Sequence, residues 1–176
     1  MISRRLESAG NREAFRTLIL RILVTALILY LIFTYGFLID QNHGLGMYPA
    51  MKDGDLCVIF RREAQTLAGL PYAAGDIVAY EAEGQRYIGR VAAVAGDTIQ
   101  INDGGSVTVN GSGQSGEIIF PTYPRGELAY PLTVPQDCLF VLGDHRTDTK
   151  DSRDFGPISL QSVDGKVISI LRRRGL

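Results

Sequence analysis

Apolar residues form one long run near the N-terminus, before apolar and polar positions begin to alternate. The 18 residues Ile22–Ile39 include no charged side chain, and about 17–25 apolar residues are enough to span the core of a bilayer. A buried helix of a soluble domain would keep a polar stripe, which this run lacks. A cleaved signal peptide is the weaker alternative, because no Ala-x-Ala-like site follows the run cleanly. The run therefore predicts a transmembrane helix over residues 22–39.

Positive charges are distributed unequally on the two sides of this run. No Lys or Arg follows it before Lys52. Five arginines precede it, at Arg4, Arg5, Arg12, Arg16 and Arg21. Because positively charged flanks stay on the cytoplasmic side of a membrane, residues 1–21 are predicted to be a cytoplasmic basic segment. We therefore expect a single-pass protein of the cell membrane whose residues 40–176 form an extracytoplasmic domain.

After the run, short apolar segments alternate with turn residues, which is typical of β-strands. The segments predicted to be strands are Leu56–Phe60, Asp76–Tyr80, Arg86–Val94, Thr98–Asn102, Ser106–Asn110, Cys138–Leu142 and Val167–Leu171. The two that flank Asp103-Gly104-Gly105 are predicted to form a hairpin. Residues 110–130 are rich in Gly, Ser, Pro and Tyr and read as a long surface excursion. The pattern predicts a mostly β domain behind one membrane helix.

Composition excludes some functions and leaves the state of the cysteines open. The chain has 18 basic and 19 acidic residues, a balance that gives no basis for nucleic-acid binding. With two histidines, His43 and His145, and two cysteines in predicted strands, we expect neither a metal site nor a cofactor. Cys57 and Cys138 are interpreted as buried free thiols, with a disulfide in an oxidising compartment as the alternative.

Four motifs follow one another along the chain. They are Gly44-Leu45-Gly46-Met47-Tyr48-Pro49-Ala50-Met51 with Gly54-Asp55; Gly75-Asp76-Ile77-Val78; Tyr87-Ile88-Gly89-Arg90-Val91 with Ala95-Gly96-Asp97; and Gly143-Asp144-His145-Arg146 with Asp151-Ser152-Arg153 and Phe155-Gly156. In this order they resemble the signature regions of the type I signal peptidase family. The resemblance covers essentially the whole chain, including the anchor. It implies a signal peptidase I-like β domain with an exposed apolar groove.

The resemblance also places glycine at each catalytic position. In the family a serine hydroxyl attacks the peptide carbonyl, a neutral lysine takes its proton, and a second serine helps to form the oxyanion hole. The corresponding residues here are Gly46 for the nucleophile, Gly89 for the base and Gly44 for the oxyanion serine. Glycine has no side-chain atom that can perform these steps. We therefore expect no Ser/Lys dyad, and proteolysis is not the favoured activity.

Other residues of the motifs are candidates for a retained binding surface. Five residues beside the family's groove are candidate peptide contacts, with core and turn packing as the alternative: Met47, Tyr48, Pro49, Tyr87 and Ile88. A second set resembles the residues that tie the family's active-site loops together, and is expected to be mainly a structural salt-bridge cluster: Asp144, Arg146, Thr149, Asp151, Ser152 and Arg153. Thr149 stands where a family serine orients the lysine.

Three functions remain after this comparison of motifs. The favoured hypothesis, by resemblance to non-catalytic homologues, is a chaperone-like membrane protein that binds exported polypeptides or pilin subunits and assists a sortase in pilus assembly. The alternative is an active type I signal peptidase that removes signal peptides from secreted preproteins with a rewired catalytic site. A third hypothesis is a structural membrane partner of an active peptidase or of a sortase.

Overall fold

The computed structural model describes residues 2–114 and 120–172, with side-chain detail from residue 13 onward. The chain divides into two compact units, Met1–Phe37 and Leu38–Leu176. The first unit is essentially one helix, and the second contains the β-strands.

Helix α1 spans Ile2–Gly36, and from residue 13 onward its large apolar side chains are exposed. Its segment Glu13–Gly36 has a mean hydropathy of 2.3 and is long and apolar enough to cross a membrane. The helix ends three residues before the apolar run does, because the last residues of the run begin strand β1, Phe37–Gln41. Gly36 favours this end, since glycine is a poor helix former and Phe37 and Ile39, which follow it, are residue types enriched in strands.

The second unit is mostly β, which confirms the predicted fold class. Its remaining strands are β2 (Leu56–Arg61), β3 (Ile77–Ala82), β4 (Gln85–Val94), β5 (Thr98–Ile101), β6 (Val107–Val109), β7 (Ser112–Gly113), β8 (Leu132–Thr133), β9 (Cys138–Leu142), β10 (Ile158–Ser159) and β11 (Val163–Leu171). The short helices are α2 (Arg62–Leu67), α3 (Ser152–Phe155) and a 3₁₀ turn over Leu160–Ser162. Of the predicted excursion over residues 110–130, residues 115–119 lie outside the described residues.

The strands form two sheets, a larger one with the order β1-β2-β11-β3-β4-β9-β10 and a smaller one with the order β7-β6-β5-β8. The predicted hairpin is β5 paired with β6, with Ile101 opposite Val107. Strand β4 is the longest strand, and it has a different partner along each part of its length. Its residues 85–90 pair with β3, whereas β9 pairs only from Arg90, opposite Leu142, to Val94. The first half of β4 therefore extends beyond the end of β9.

Three apolar clusters pack around these sheets. One contains Ile99, Phe140 and Leu142, with Cys138 packed against it. A second surrounds Tyr80, and a third contains Met47, Met51, Cys57 and Ile59. Burying one such large apolar side chain contributes about 1.5–3 kcal/mol. Both cysteines are free, and because they belong to different clusters the disulfide alternative is not what the structure contains.

Candidate functional site

A cleft of about 630 Å³ lies beside the first half of β4, and we call it the β4 cleft. Its walls come from the segment after β1, from the N-terminal half of β4 and from the loop that follows β9. The residues that line it are Asp40, Gln41, Asn42, His43, Gly44, Leu45, Gly46, Met47, Gln85, Arg86, Tyr87, Ile88, Asp148, Thr149 and Lys150. The cleft therefore brings together the first, third and fourth sequence motifs.

The predicted peptide contacts differ in how they meet this cleft. Tyr87 and Ile88 line it from β4, and Met47 lines it while belonging to a buried core cluster, with 1% of its surface exposed. Tyr48 is exposed and lies outside the lining, with its ring 6.4 Å from that of His145. Pro49 is half-buried and also lies outside the lining. Two of the five predicted contacts, Tyr87 and Ile88, therefore line the cleft while only partly buried.

Position 46, which the motifs predict to correspond to the family nucleophile, is crowded by the Thr149 side chain of the loop after β9. A Cβ atom added to Gly46 would lie 2.9 Å from the hydroxyl oxygen of Thr149, closer than real Cβ atoms approach other atoms. The backbone N–H of His145 donates a 3.0 Å hydrogen bond to the Gly46 carbonyl, and this bond holds the loop after β9 close to Gly46. The Thr149 hydroxyl donates to the Lys150 carbonyl at 3.3 Å. Since Gly46 has no side chain, the hydroxyl group next to position 46 is that of Thr149.

Position 89, which the motifs predict to correspond to the family base, is closed by the protein core. Gly89 is buried in β4, and a Cβ atom there would lie 2.5 Å from a methyl carbon of Val141. It would also lie 3.4 Å from a ring carbon of Tyr80 and from the Leu142 carbonyl oxygen. Pairing of Val78 in β3 with Gly89 and of Val141 with Val91 keeps this arrangement fixed. The structure has no space for a longer side chain here unless Val141 moves.

Position 44, the oxyanion-serine position, is open in space but already hydrogen-bonded. Gly44 has φ +80°, and an added Cβ atom would meet no described atom within 4 Å. Its backbone N–H donates a 2.7 Å hydrogen bond to the Asp53 carboxylate. Glycine supplies no side-chain hydroxyl at this position, and its N–H is already bonded to Asp53, so residue 44 offers no free donor for an oxyanion.

Lys150 lines the cleft and is paired with a carboxylate. Its Nζ lies 3.4 Å from the Glu83 carboxylate and 6.0 Å from the centre of the Phe155 ring, and 60% of the side chain is exposed. A general base must be uncharged, which requires burial away from acidic partners. Lys166 is likewise paired, with Asp76 at 2.6 Å. Neither lysine is placed as a neutral base.

One edge of β4 is open along the cleft. Residues Gln85–Ile88 line the cleft and pair with β3 on one side only, because β9 ends at Leu142, opposite Arg90. In the part of the chain that the structure describes, no strand pairs with the other side. An unpaired strand edge presents backbone N–H and C=O groups that can bind another extended chain.

The floor of the loop after β9 is held by a buried ion pair. Asp151 and Arg153 are each 1% exposed in their side chains, and their closest atoms are 2.8 Å apart. Asp151 also accepts the N–H of Gly143 at 3.1 Å and caps α3. The Ser152 hydroxyl accepts the N–H of Val141 at 2.9 Å. These bonds connect the end of β9 to α3 beneath the cleft.

The other charged members of the predicted cluster have separate partners. Asp144 makes two hydrogen bonds, of 2.8 and 2.6 Å, to the Arg90 guanidinium, and these bonds raise the pKa of Arg90. Arg146 is 2% exposed and donates to the hydroxyl of Thr122, with no carboxylate of the described residues in ion-pair range. Burial lowers the pKa of Arg146 to about 10. The cluster is therefore two ion pairs and one buried guanidinium.

Several residues that shape the site carry no motif signal in the sequence. Val141 and Tyr80 close position 89 only because β3, β4 and β9 pair in one register. Arg125 donates to the carbonyls of Thr149 and Arg146 from the surface excursion. Among the residues the structure describes, no three His, Cys, Asp or Glu side chains are grouped to hold a metal ion.

Comparison with known proteins identifies the family to which the chain is similar. Residues 15–171 match the family described as signal peptidase, peptidase S26. Signal peptidase IB of Staphylococcus aureus (strain COL) is 29% identical over 169 residues, covering 85% of each chain. Thylakoidal processing peptidase 1 of Arabidopsis thaliana is 26% identical over 132 residues, and the match covers 69% of this chain but only 38% of that protein. A signal peptidase I structure from Enterococcus faecalis is 28% identical and covers 56% of this chain, with a TM-score of 0.47, too low to support an argument.

Proposed function

Because the chain belongs to the signal peptidase family, peptidase S26, we propose that it binds an extended segment of an exported polypeptide in the β4 cleft without cutting it. The observation that carries the proposal is the state of the two dyad positions. Gly46 and Gly89 have no reactive atom, and the space for a side chain at each is taken by Thr149 and Val141.

Binding is supported by atoms that do not depend on the dyad. The open edge of Gln85–Ile88 supplies backbone donors and acceptors for a client strand, and the side chains of Tyr87 and Ile88 supply apolar contacts. Strand addition gains its affinity from main-chain hydrogen bonds and its specificity from pockets for alternate side chains. A cleft of this kind can hold a polypeptide even where no residue can attack it.

Absence of cleavage is supported by the chemistry that acyl transfer needs. A nucleophile must lie within hydrogen-bond reach of a base, and the base must be uncharged. The dyad positions supply neither group, and Lys150 is paired with Glu83. The nucleophile and the base depend strongly on each other, so a site that lacks both residues loses nearly all of the rate enhancement that the pair provides.

The membrane segment and the family indicate where in the cell the protein would act and which clients it would bind. Helix α1 would anchor the chain in the cell membrane with its N-terminus in the cytoplasm and residues 40–176 outside. The clients would then be exported polypeptides, with pilin subunits and a sortase as the specific partners of a chaperone-like role in surface-protein assembly. If the protein bound only a peptidase or a sortase and no exported polypeptide, it would instead be a structural partner of that enzyme.

One observation favours a second candidate function. The Thr149 hydroxyl occupies the space into which a serine side chain at position 46 would extend. In this alternative the protein is an active signal peptidase whose nucleophile is Thr149. The geometry supports it less well, because that hydroxyl already donates to the Lys150 carbonyl and has no neutral amine beside it.

The test combines binding and cleavage on the full chain in detergent micelles. A fluorescent peptide containing a signal-peptide cleavage region is expected to bind, and mass spectrometry is expected to find it intact. A peptide N-methylated at alternate residues should lose binding in the methylation register whose amides face β4, and keep it in the other register. Equal binding in both registers would refute strand addition.

The second candidate is tested with Thr149→Val, which keeps the shape of the side chain and removes its hydroxyl. Thr108→Val in β6, outside the cleft, is the matched control. Cleavage by the unchanged protein that disappears in Thr149→Val but persists in Thr108→Val would overturn the proposal and establish an active peptidase. Intact peptide with all three proteins supports non-catalytic binding.

A further inference from the structure

The cations that line the β4 cleft are neutralised by the protein itself. Arg86 lies between two carboxylates, with Nε 2.7 Å from Asp164 and a terminal nitrogen 3.3 Å from Asp40. The hydrogen bond to Asp164 raises the pKa of Arg86. Lys150 is paired with Glu83 at 3.4 Å. Two carboxylates, Asp40 and Asp148, and two cations, Arg86 and Lys150, line the cleft. Because Arg86 is also paired with Asp164 and Lys150 with Glu83, neither cation is left to neutralise Asp148.

Asp148 is the lining carboxylate without a cationic partner. Its side chain is 75% exposed, and within the described ranges no Lys or Arg lies in ion-pair range of it. Its one ionisable neighbour is His145, whose Nδ1 is 4.0 Å from the nearer carboxylate oxygen. His145 is itself held between aromatic rings, 4.1 Å from Phe120 and 6.4 Å from Tyr48, so it does not turn toward a client. Asp148 is therefore free to pair with a charge that enters the cleft.

Resting on the proposed peptide binding, we propose that the β4 cleft selects client segments that carry a lysine or arginine, and that Asp148 is the counter-ion for that residue. A carboxylate at the rim of a binding site acts mainly on specificity and on the association rate. It attracts a basic client, and it repels an acidic one placed in the same register. The exposure of Asp148 makes the effect moderate and dependent on ionic strength.

The experiment measures a preference between peptides that differ in one charge. The probes are fluorescent alanine–valine peptides in which a single lysine, glutamine or glutamate is moved along the sequence. Binding to the full chain in micelles of a neutral detergent is measured by anisotropy at low and high salt. Asp148→Asn removes the charge, and Asp103→Asn is the control, because Asp103 is an exposed acid in the β5–β6 turn outside the cleft.

At one position, lysine is expected to bind about two- to fivefold more tightly than glutamine at low salt, with glutamate weakest. The preference should vanish in Asp148→Asn, persist in Asp103→Asn and shrink at high salt. Equal binding of the three peptides would overturn the selectivity while leaving peptide binding intact. A preference that survives in Asp148→Asn would overturn the assignment to that residue. If no peptide binds at all, the proposed function itself fails, and the selectivity fails with it.

Discussion

Adding a single methyl group at Gly89 tests how completely the core has closed over the position of the family base. In Gly89→Ala the new Cβ would lie 2.5 Å from the Val141 methyl carbon, whereas carbon atoms in contact are optimally about 3.5–4.0 Å apart. Overpacking of this kind costs about 1–3 kcal/mol. Replacing a strand glycine by alanine offsets part of that cost, by about 0.5–1 kcal/mol. The net expectation is a destabilisation of about 1–2 kcal/mol.

The same clash predicts that a second substitution will compensate for the first. Val141→Ala alone removes two buried methyl groups and should destabilise the fold by about 2 kcal/mol. In the double variant the alanine methyl at position 89 enters the space that Val141 has left. The double variant should therefore cost about 2 kcal/mol in total, well below the additive value of about 3–4 kcal/mol.

The assay is denaturant unfolding of the full chain in micelles, followed by circular dichroism. Gly165→Ala is the contrasting control, because its Cβ would meet the Phe60 backbone carbonyl oxygen at 2.1 Å. That obstruction cannot be relieved by trimming Val141, so Gly165→Ala should remain destabilised in both backgrounds. Additive free energies for Gly89→Ala and Val141→Ala, or a Gly89→Ala protein as stable as the original, would refute the closed-core reasoning.

Three other predictions concern stability, thiol chemistry and topology. Asp151→Asn leaves the buried Arg153 guanidinium unpaired and should lower the free energy of unfolding by about 3–5 kcal/mol, measured as a denaturant midpoint. Burial raises the pKa of the Cys57 thiol to about 11, so at about pH 8 a maleimide should label the folded protein at the part-exposed Cys138, and Cys138→Ser should abolish labelling until the protein unfolds. Protease added to sealed right-side-out membrane vesicles should digest the β domain, whereas inside-out vesicles should protect it.

The predicted strands were confirmed in their places because their signal is local. Alternation in Arg86–Val94 and the apolar run Cys138–Leu142 mark β4 and β9 without knowledge of the rest of the chain. The apolar run through Ile39 predicted a helix that in fact ends at Gly36, because hydropathy alone does not distinguish a helical from an extended apolar residue. Local pattern therefore predicted the main strands, but it missed both ends of α1, the start of β11 at Val163 and the short elements β1, β7, β8, β10, α2 and α3.

The closure of the candidate site could not have been predicted from the sequence. The motif comparison identifies Gly46 and Gly89, but not what fills the space beside them. Val141 reaches Gly89 only through the pairing of strands that are distant in the chain, and Thr149 reaches Gly46 through the loop after β9. Such contacts depend on strand register and loop geometry, which no local periodicity encodes.

The packing around the dyad positions and the open edge of β4 involve different atoms. The protein could therefore bind a client chain without cutting it. Cleavage by a dyad at residues 46 and 89 would require side-chain atoms there, and a Cβ at either position would collide with a neighbouring residue. Strand addition requires the backbone groups of Gln85–Ile88, which are unaffected by which side chains stand at the dyad positions. A glycine that had merely replaced a larger residue would leave a cavity, and cavities in a packed core are costly. Because Val141 and Tyr80 fill that space, the core is packed for glycine while the edge beside it stays available to a client chain.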